Sequence, residues 1–102
     1  MAKHTDQDAN GTSFHDVRIK ATPAQLKKLF PDSYYESNDG SDKTNYDFTL
    51  ETESGKVFTI YDWKYYRPIE DDELITWNIG GHDTMSCLEG AEEVEEAIRE
   101  LI

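Results

Sequence analysis

YDFTLETESGKVFTIYDWK, residues 46 to 64, decides the fold of this chain. Two runs of alternating apolar and polar residues flank turn formers at positions 53 to 55, a pattern that predicts a β-hairpin. Gly55 suits the left-handed residue of a type I turn with a bulge, whereas the serine before it is a poor choice for the positive φ of a two-residue type I′ loop. We therefore predict that Thr52 pairs with Lys56.

This register assigns the faces of the hairpin, because side chains alternate along a strand and a slip of one residue would exchange them. One predicted face is mostly apolar and is the candidate core; it sets Leu50 opposite Phe58, Phe48 opposite Ile60 and Tyr46 opposite Asp62. The other face is mixed aromatic and acidic, and consists of Val57, Thr59, Tyr61, Trp63, Asp47, Thr49, Glu51 and Glu53. A turn of two residues would instead bury Tyr61 and Trp63.

Two more strands are predicted outside the hairpin. Residues 14 to 20, FHDVRIK, alternate and set His15, Val17 and Ile19 on one face, which is typical of a short, half-buried edge strand. Residues 74 to 81, LITWNIGG, predict a second strand whose inward side chains are Ile75, Trp77 and Ile79.

Two helices are predicted from capping signals and apolar spacing. Thr22 at the N-cap, Pro23 at the first helical position and Gln25 three residues after the cap form a capping-box signature, and a later proline ends this helix. Residues 86 to 102, SCLEGAEEVEEAIRELI, predict a second helix with Ser86 as its N-cap. Its apolar stripe comprises Leu88, Ala91, Val94, Ile98 and Leu101.

The predicted order is β-α-β-β-β-α, which indicates an α+β fold: an antiparallel or mixed sheet with both helices packed on one face. Residues 1 to 12 contain no large apolar side chain beyond the initial methionine and are predicted to be a disordered N-terminal arm. Residues 13 to 102 form a single α+β domain, in which residues 31 to 45 are a long loop that is either functional or mobile.

The composition favours a small soluble domain with an acidic surface. The chain has 102 residues, of which 36% are hydrophobic, enough for one small core. Its 22 acids and 10 bases give a net charge of -12, which opposes direct binding to nucleic acid or to an anionic membrane. One cysteine, no leader and no apolar run of about 20 residues indicate a cytoplasmic protein.

Enzymatic motifs are weak in this sequence. His82 and Cys87 near a helix start could form a nucleophilic pair, since a helix N-terminus lowers a thiol pKa, but cysteine also packs well as a small side chain. The acids at positions 70 to 73 with His82 match no metal-binding spacing. We predict no enzyme, no cofactor and no metal.

Two groups of residues are candidates for binding a partner protein. The aromatic set comprises Tyr61, Trp63, Asp47 and Glu51. Tyrosine and tryptophan are enriched at protein interfaces, whereas stacking on nucleic acid requires lysine and arginine beside the rings. The acidic set comprises Glu70, Asp71, Asp72, Glu73, Glu89, Glu92, Glu93, Glu96 and Glu100.

FTIYDWK, the acidic loop that follows it, WNIGG and the glutamate-rich terminal helix together resemble the small acidic accessory proteins of tailed bacteriophages, over residues 46 to 102. The resemblance implies an inhibitor of a host factor, acting in the host cytoplasm. We predict an acidic protein-binding module that mimics DNA phosphates and docks on a basic, nucleic-acid-binding host protein. The alternatives are a structural or self-assembling protein that uses the aromatic set, and an enzyme centred on Cys87.

Overall fold

The computed structural model describes residues 1–36 and 43–101. These residues form a six-stranded sheet and two helices, which confirms the predicted α+β class. The elements are β1 (Lys3–His4), β2 (Ser13–Ala21), α1 (Pro23–Leu29), β3 (Tyr34–Glu36), β4 (Tyr46–Glu51), β5 (Val57–Tyr61), β6 (Ile75–Gly81) and α2 (Thr84–Glu100).

Every strand pair in the sheet is antiparallel, and the strand order is β1-β4-β5-β6-β2. The short strand β3 also pairs with β4, so that β1 and β3 share the edge of β4 that β5 leaves open. The predicted edge position of β2 is confirmed, because among the described strands β2 pairs with β6 alone. β1 and β3 are additions to the predicted order.

The predicted register of the central hairpin is confirmed. Phe48 pairs with Ile60 and Leu50 pairs with Phe58. The backbone N–H of Thr52 donates to the carbonyl of Lys56 at 2.9 Å, and Gly55 closes the turn with a φ of 88°. A left-handed φ costs glycine little because it has no Cβ, and this residue therefore fixes which face of the hairpin is buried.

The inner face of the sheet is the face that the helices cover. Its largest side chains, among them Phe48, Phe58 and Trp77, are 0% exposed, and the predicted inward set of β6 is confirmed. α2 approaches this face closely, since a Cβ added at Gly90 would lie 2.6 Å from the ring of Phe58. The indole N–H of Trp77 donates to the carbonyl of Ala21 at 2.9 Å, which satisfies the polar atom of this buried ring.

A buried carboxylate holds the end of the hairpin. Asp62 is 0% exposed, and its Oδ1 accepts hydrogen bonds from the backbone N–H groups of Asn45 and Tyr46, both at 2.8 Å. The side-chain amide of Asn45 also donates to Asp62, at 3.1 Å. A buried charge is tolerated only when it is hydrogen-bonded, and these three donors meet that need.

The capping predictions are confirmed for α1 and corrected for α2. Both hydrogen bonds of the capping box at Thr22 and Gln25 are present. α2 begins three residues earlier than predicted, because Asp83 and not Ser86 is its N-cap: the Asp83 carboxylate accepts from the backbone N–H of Ser86 at 2.7 Å. Asp83 thereby satisfies a donor of the first helical turn.

A β-bulge changes the predicted alternation of β2. The register shifts between Phe14 and Val17, where Asp16 has a left-handed φ of 64°. Phe14 pairs with Gly80 and therefore lies on the open face of the sheet, opposite the helices, whereas Val17 pairs with Ile79 on the inner face. His15 lies within the bulge. The prediction that it shares a face with Val17 is therefore wrong.

The segments predicted as an arm and a loop carry more structure than their composition indicates. Lys3–His4 pairs with β4, and Ala2 is 1% exposed. Ala9 and Thr12 line a cavity of about 300 Å³ on the open face of the sheet, so the arm crosses this face between β1 and β2. Within the predicted loop, Tyr34–Glu36 forms β3, and residues 37 to 42 lie outside the described residues.

Candidate protein-binding surface

The side of α2 that faces the hairpin turn carries acids that already have partners. The hydroxyl of Ser54 donates to Glu89 at 2.6 Å, and the ammonium of Lys56 lies 3.0 Å from the same carboxylate. The hydrogen bond from Ser54, followed by that from Lys56, lowers the pKa of Glu89. Glu93 accepts the backbone N–H of Glu53 at 3.1 Å. These two glutamates attach α2 to the hairpin.

Further along the same side, α2 forms an acidic hollow. Glu93, Glu96 and Glu100 line a cavity of about 300 Å³ together with Met1 and Glu53. The amino group of Met1 lies 2.9 Å from Glu53 and 3.9 Å from Glu93. The structure thus brings together three members of the acidic set.

The outer side of α2 carries acids without cations. Glu92 and Glu95 are exposed and line a groove of about 820 Å³ between α2 and β2. Within residues 1–36 and 43–101, these two glutamates, and Glu100 of the acidic hollow, form no ion pair or hydrogen bond through their side chains. These carboxylates are free to receive a cation from outside the chain.

The loop acids Glu70, Asp71, Asp72 and Glu73 are partly neutralised within the fold. Asp71 lies 2.8 Å from the ammonium of Lys27, on α1. Glu73 forms a bidentate pair with the guanidinium of Arg67, which lowers the pKa of that carboxyl. This loop is attached to α1 rather than to the glutamate stripes of α2, so the acidic set forms separate groups.

Lys27 is the cation at the centre of an ionic network on the side of α1. Its ammonium lies 3.2 Å from Glu36 and 5.2 Å from the centre of the Tyr46 ring, in addition to its contact with Asp71. Burial acts to lower the pKa of Lys27, but the hydrogen bonds with Asp71 and Glu36 outweigh it and raise the pKa. Burial also raises the pKa of Tyr46 to about 12. This network joins α1 to β3, β4 and the acidic loop.

The aromatic set lies on the open face of the sheet, away from α2. Phe58 packs against α2, so its neighbours Val57, Thr59 and Tyr61 point to the opposite side. Tyr61 and Trp63 contact each other edge to face with ring centres 6.0 Å apart. Trp63 is 45% exposed. The aromatic set and the glutamates of α2 therefore occupy opposite faces of the molecule.

Two lysines lie beside Trp63: Lys64 follows it directly in the chain, whereas Lys43 precedes β4. The ammonium groups of Lys43 and Lys64 lie 5.7 Å and 5.6 Å from the centre of its ring, within cation–π range. Lys64 has a left-handed φ of 59°, and its backbone N–H donates to the carbonyl of Lys43 at 2.7 Å, which brings the two lysines to the same ring. The open face therefore carries cations beside Trp63 as well as the acids Asp47 and Glu51.

The two acids of the aromatic set differ in their surroundings. Glu51 is half-buried in β4 and pairs with Lys3 of β1 and Val57 of β5 across the sheet. Asp47 is exposed at the rim, yet partial burial of its carboxylate, and secondly the charge of Asp62, raise its pKa.

The groups proposed for cysteine or metal chemistry are poorly arranged for it. Cys87 is 0% exposed, and burial, together with the nearby Asp83 carboxylate, raises the pKa of its thiol. A protonated, buried thiol is a weak nucleophile. His82 is exposed, with its ring beside Gly11. In the described part of the chain, no group of three or more His, Cys, Asp or Glu side chains is placed to hold a metal ion.

Two apolar residues on α2 were missed as surface features. Leu88 belongs to the predicted inward stripe but is 48% exposed, and Met85, one turn before it, is 65% exposed. Both line the same groove as Glu92 and Glu95. No local signal identifies them, because their spacing of three residues continues into Ala91 and Val94, which are buried.

No protein-family model, curated protein or solved structure matches this chain. No helix among the described residues combines the length and the apolar character needed to cross a bilayer.

Proposed function

We propose that the protein is a non-enzymatic acidic module whose helix α2 binds a basic surface of a nucleic-acid-binding protein. The observation that carries this proposal is the row of exposed glutamates at Glu92, Glu95, Glu96 and Glu100, three of which have no partner in the described fold. Carboxylates on a rigid helix need no rearrangement to meet lysine or arginine side chains. Less ordering entropy is lost on binding for that reason.

Competition with nucleic acid is the mechanism that these charges support best. A protein that binds phosphates through lysine and arginine accepts carboxylates at the same positions, and a net charge of -12 accelerates the encounter with it. The resemblance to accessory proteins of tailed bacteriophages would make the target a host protein and the module its inhibitor.

The contact is centred on α2 and excludes part of the predicted site. Tyr61 and Trp63 lie on the opposite side of the sheet and do not share a flat partner surface with α2. Asp71 and Glu73 are engaged by Lys27 and Arg67. Glu70 and Asp72 remain exposed and can extend the contact only around α1.

The test is a charge reversal on α2 with a control of equal charge. The variant Glu92→Lys, Glu95→Lys, Glu96→Lys is compared with Asp6→Lys, Asp8→Lys, Asp32→Lys, which changes the net charge equally at exposed acids outside α2. Tagged proteins capture partners from bacterial lysate at low and high salt, and each captured protein is then tested for release of its DNA or RNA. Loss of a salt-sensitive, nucleic-acid-binding partner only in the α2 variant is expected. Equal capture by both variants would rule the proposal out.

Self-association through the open face is a second candidate function, because several rings are exposed there or beside it. Trp63 is 45%, Tyr66 54% and Phe14 37% exposed. Sedimentation at several concentrations and salt levels tests this function. A mass that rises with concentration in the parent protein but not in Trp63→Ser would support it.

A further inference from the structure

The groove between α2 and β2 combines an apolar floor with an acidic rim. Met85, Leu88 and Ala91 of α2 and Val17 of β2 line its apolar part. Met85 and Leu88 are 65% and 48% exposed, so the groove leaves large apolar side chains in water. Large exposed apolar side chains that adjoin charged residues are typical of a protein-binding surface.

The lining residues of α2 follow the spacing of a coiled-coil seam. Met85, Leu88, Glu92, Glu95 and Arg99 succeed one another at intervals of three and four residues, and all line the groove. Such a stripe faces a second helix that packs alongside at a shallow angle. The stripe is apolar in its first half, acidic in its second half and basic at its end.

We infer that this groove holds an amphipathic, basic helix of the partner protein. The inference rests on the proposed function and deepens it by specifying the partner element and its register. Apolar side chains of the docked helix contact Met85 and Leu88, and lysine or arginine one to two turns along contacts Glu92 and Glu95.

The unpaired charges of the groove indicate that the docked helix is basic. Of the other charged residues in the groove, Arg18 is paired with Asp16 at 2.8 Å, and Glu89 is paired with Lys56 at 3.0 Å. Glu92 and Glu95 have no such partner among the described residues. The middle of the groove is therefore anionic, and Arg99 limits the cationic stretch of the occupant at the C-terminal end of α2.

The edge of β2 disfavours an added strand as the occupant. β2 is the last strand of the sheet, and an extended peptide could in principle pair with it. The bulge between Phe14 and Val17, with a φ of 64° at Asp16, interrupts the regular row of backbone groups at the groove. Bulges at sheet edges oppose such pairing, whereas a helix needs only the side-chain surface.

The experiment uses two synthetic peptides of identical composition, rich in leucine and lysine. One peptide places leucine and lysine on opposite faces of a helix, and the other has a scrambled order. Fluorescence anisotropy measures the binding of each peptide to the parent protein, to Met85→Ser/Leu88→Ser, and to Trp63→Ser/Tyr66→Ser as the matched control. Circular dichroism of each variant checks the fold, since all four residues are exposed.

The amphipathic peptide is expected to bind the parent protein at least ~tenfold more tightly than the scrambled peptide, and Met85→Ser/Leu88→Ser should remove this difference. The control variant should retain it. Equal binding of the two peptides to the parent protein, or an unchanged preference in Met85→Ser/Leu88→Ser, would overturn the inference. Glu92→Gln/Glu95→Gln should weaken both peptides, and undiminished binding by that variant would also overturn it.

The result separates this inference from the proposed function. Loss of natural-partner capture in the α2 charge-reversal variant, together with unchanged capture in Met85→Ser/Leu88→Ser, would sustain charge recognition and reject the helix in the groove. Unchanged capture in the charge-reversal variant would reject the proposed function itself.

Discussion

The outer face of α2 and the open face of the sheet are both exposed, but their electrostatics differ. On α2, Glu92 and Glu95 have no cation among the described residues, whereas on the sheet Trp63 lies 5.7 Å from the ammonium of Lys43 and 5.6 Å from that of Lys64. The net charge of the whole chain, -12, does not show this difference between the two surfaces. Interaction with a partner depends on the local arrangement of charges, because salt screens exposed charges beyond roughly 10 Å.

The difference arises from how each face is assembled. The glutamates of α2 are local in sequence, and the helical period alone places them outward once Val94 and Ala97 are buried. The surroundings of Trp63 require two segments to meet, since the backbone of Lys64 is hydrogen-bonded to that of Lys43. The periodicity of a single segment does not predict a contact between two segments.

The largest effect is expected from Asp62→Ala, which alters the hairpin that carries the open face of the sheet. It removes the carboxylate that accepts from the buried N–H groups of Asn45 and Tyr46, and the free energy of unfolding should fall by about 3 kcal/mol or more. Urea denaturation followed by circular dichroism measures the change. The control Asp47→Ala removes an exposed acid of the same hairpin and should change it by less than about 1 kcal/mol. Equal losses would contradict the anchoring role of Asp62.

A smaller loss of stability is expected when the packing of α2 against the sheet is altered. In Gly90→Ala the new Cβ would lie 2.6 Å from the Phe58 ring, and the overpacking should cost about 1–3 kcal/mol. Alanine favours a helix by about 1 kcal/mol over glycine, so a purely local effect would have the opposite sign. Thermal unfolding distinguishes the two. A Tm at or above that of the parent protein would show that α2 lies farther from Phe58.

The first turn of α2 should show a pH-dependent contribution from its cap. The hydrogen bond from the Ser86 N–H lowers the pKa of Asp83 in the folded state. Its contribution is therefore present above the unfolded pKa of about 3.9 and is lost as the pH falls through the lower, folded value. The difference in Tm between the parent protein and Asp83→Ala should shrink from pH 6 towards acid, whereas Asp83→Ser should show no such shrinkage. A constant difference would argue against a charged cap.

The smallest effect on stability is expected at Trp63. Quenching of tryptophan fluorescence measures the electrostatic potential around this ring directly. Trp77 is 0% exposed and Trp63 is 45% exposed, so quenchers should reach Trp63 alone. Iodide should quench it more than caesium does, because Lys43 and Lys64 attract anions. Trp63→Phe should abolish the quenching and change stability by less than about 1 kcal/mol. A preference for caesium would show that the acids dominate around the ring.

The sequence anticipates the parts of the fold that local rules specify. The turn at Gly55 fixes the hairpin register, the capping box at Thr22 starts α1, and alternation in β6 places Ile79 inward; all three are found in the structure. The cap of α2 was misplaced because Ser86 and Asp83 are both good caps, and only the backbone path distinguishes them. The bulge in β2 has no sequence marker, since Asp16 is not a glycine.

The candidate site also has one part that the sequence predicts and another that depends on tertiary contacts. The glutamate stripes of α2 follow from helical spacing, but the exposure of Leu88 depends on β2, which leaves a groove beside that helix face. The arm over residues 1 to 12 has little apolar surface of its own, and its burial of Ala2 and pairing of Lys3–His4 come from the edge of β4.

By itself, the sequence determined the α+β class, the buried face of the hairpin and the row of glutamates along the last helix. These features depend on turn chemistry and on side-chain periods of 2 and about 3.6 residues, which are written within short segments. Only the tertiary structure decided that Lys43 lies against Trp63, that Lys27 is engaged by Asp71 and Glu36, and that Met85 and Leu88 line an acidic groove. Each of these requires contact between segments far apart in the chain, and no local period encodes such contacts.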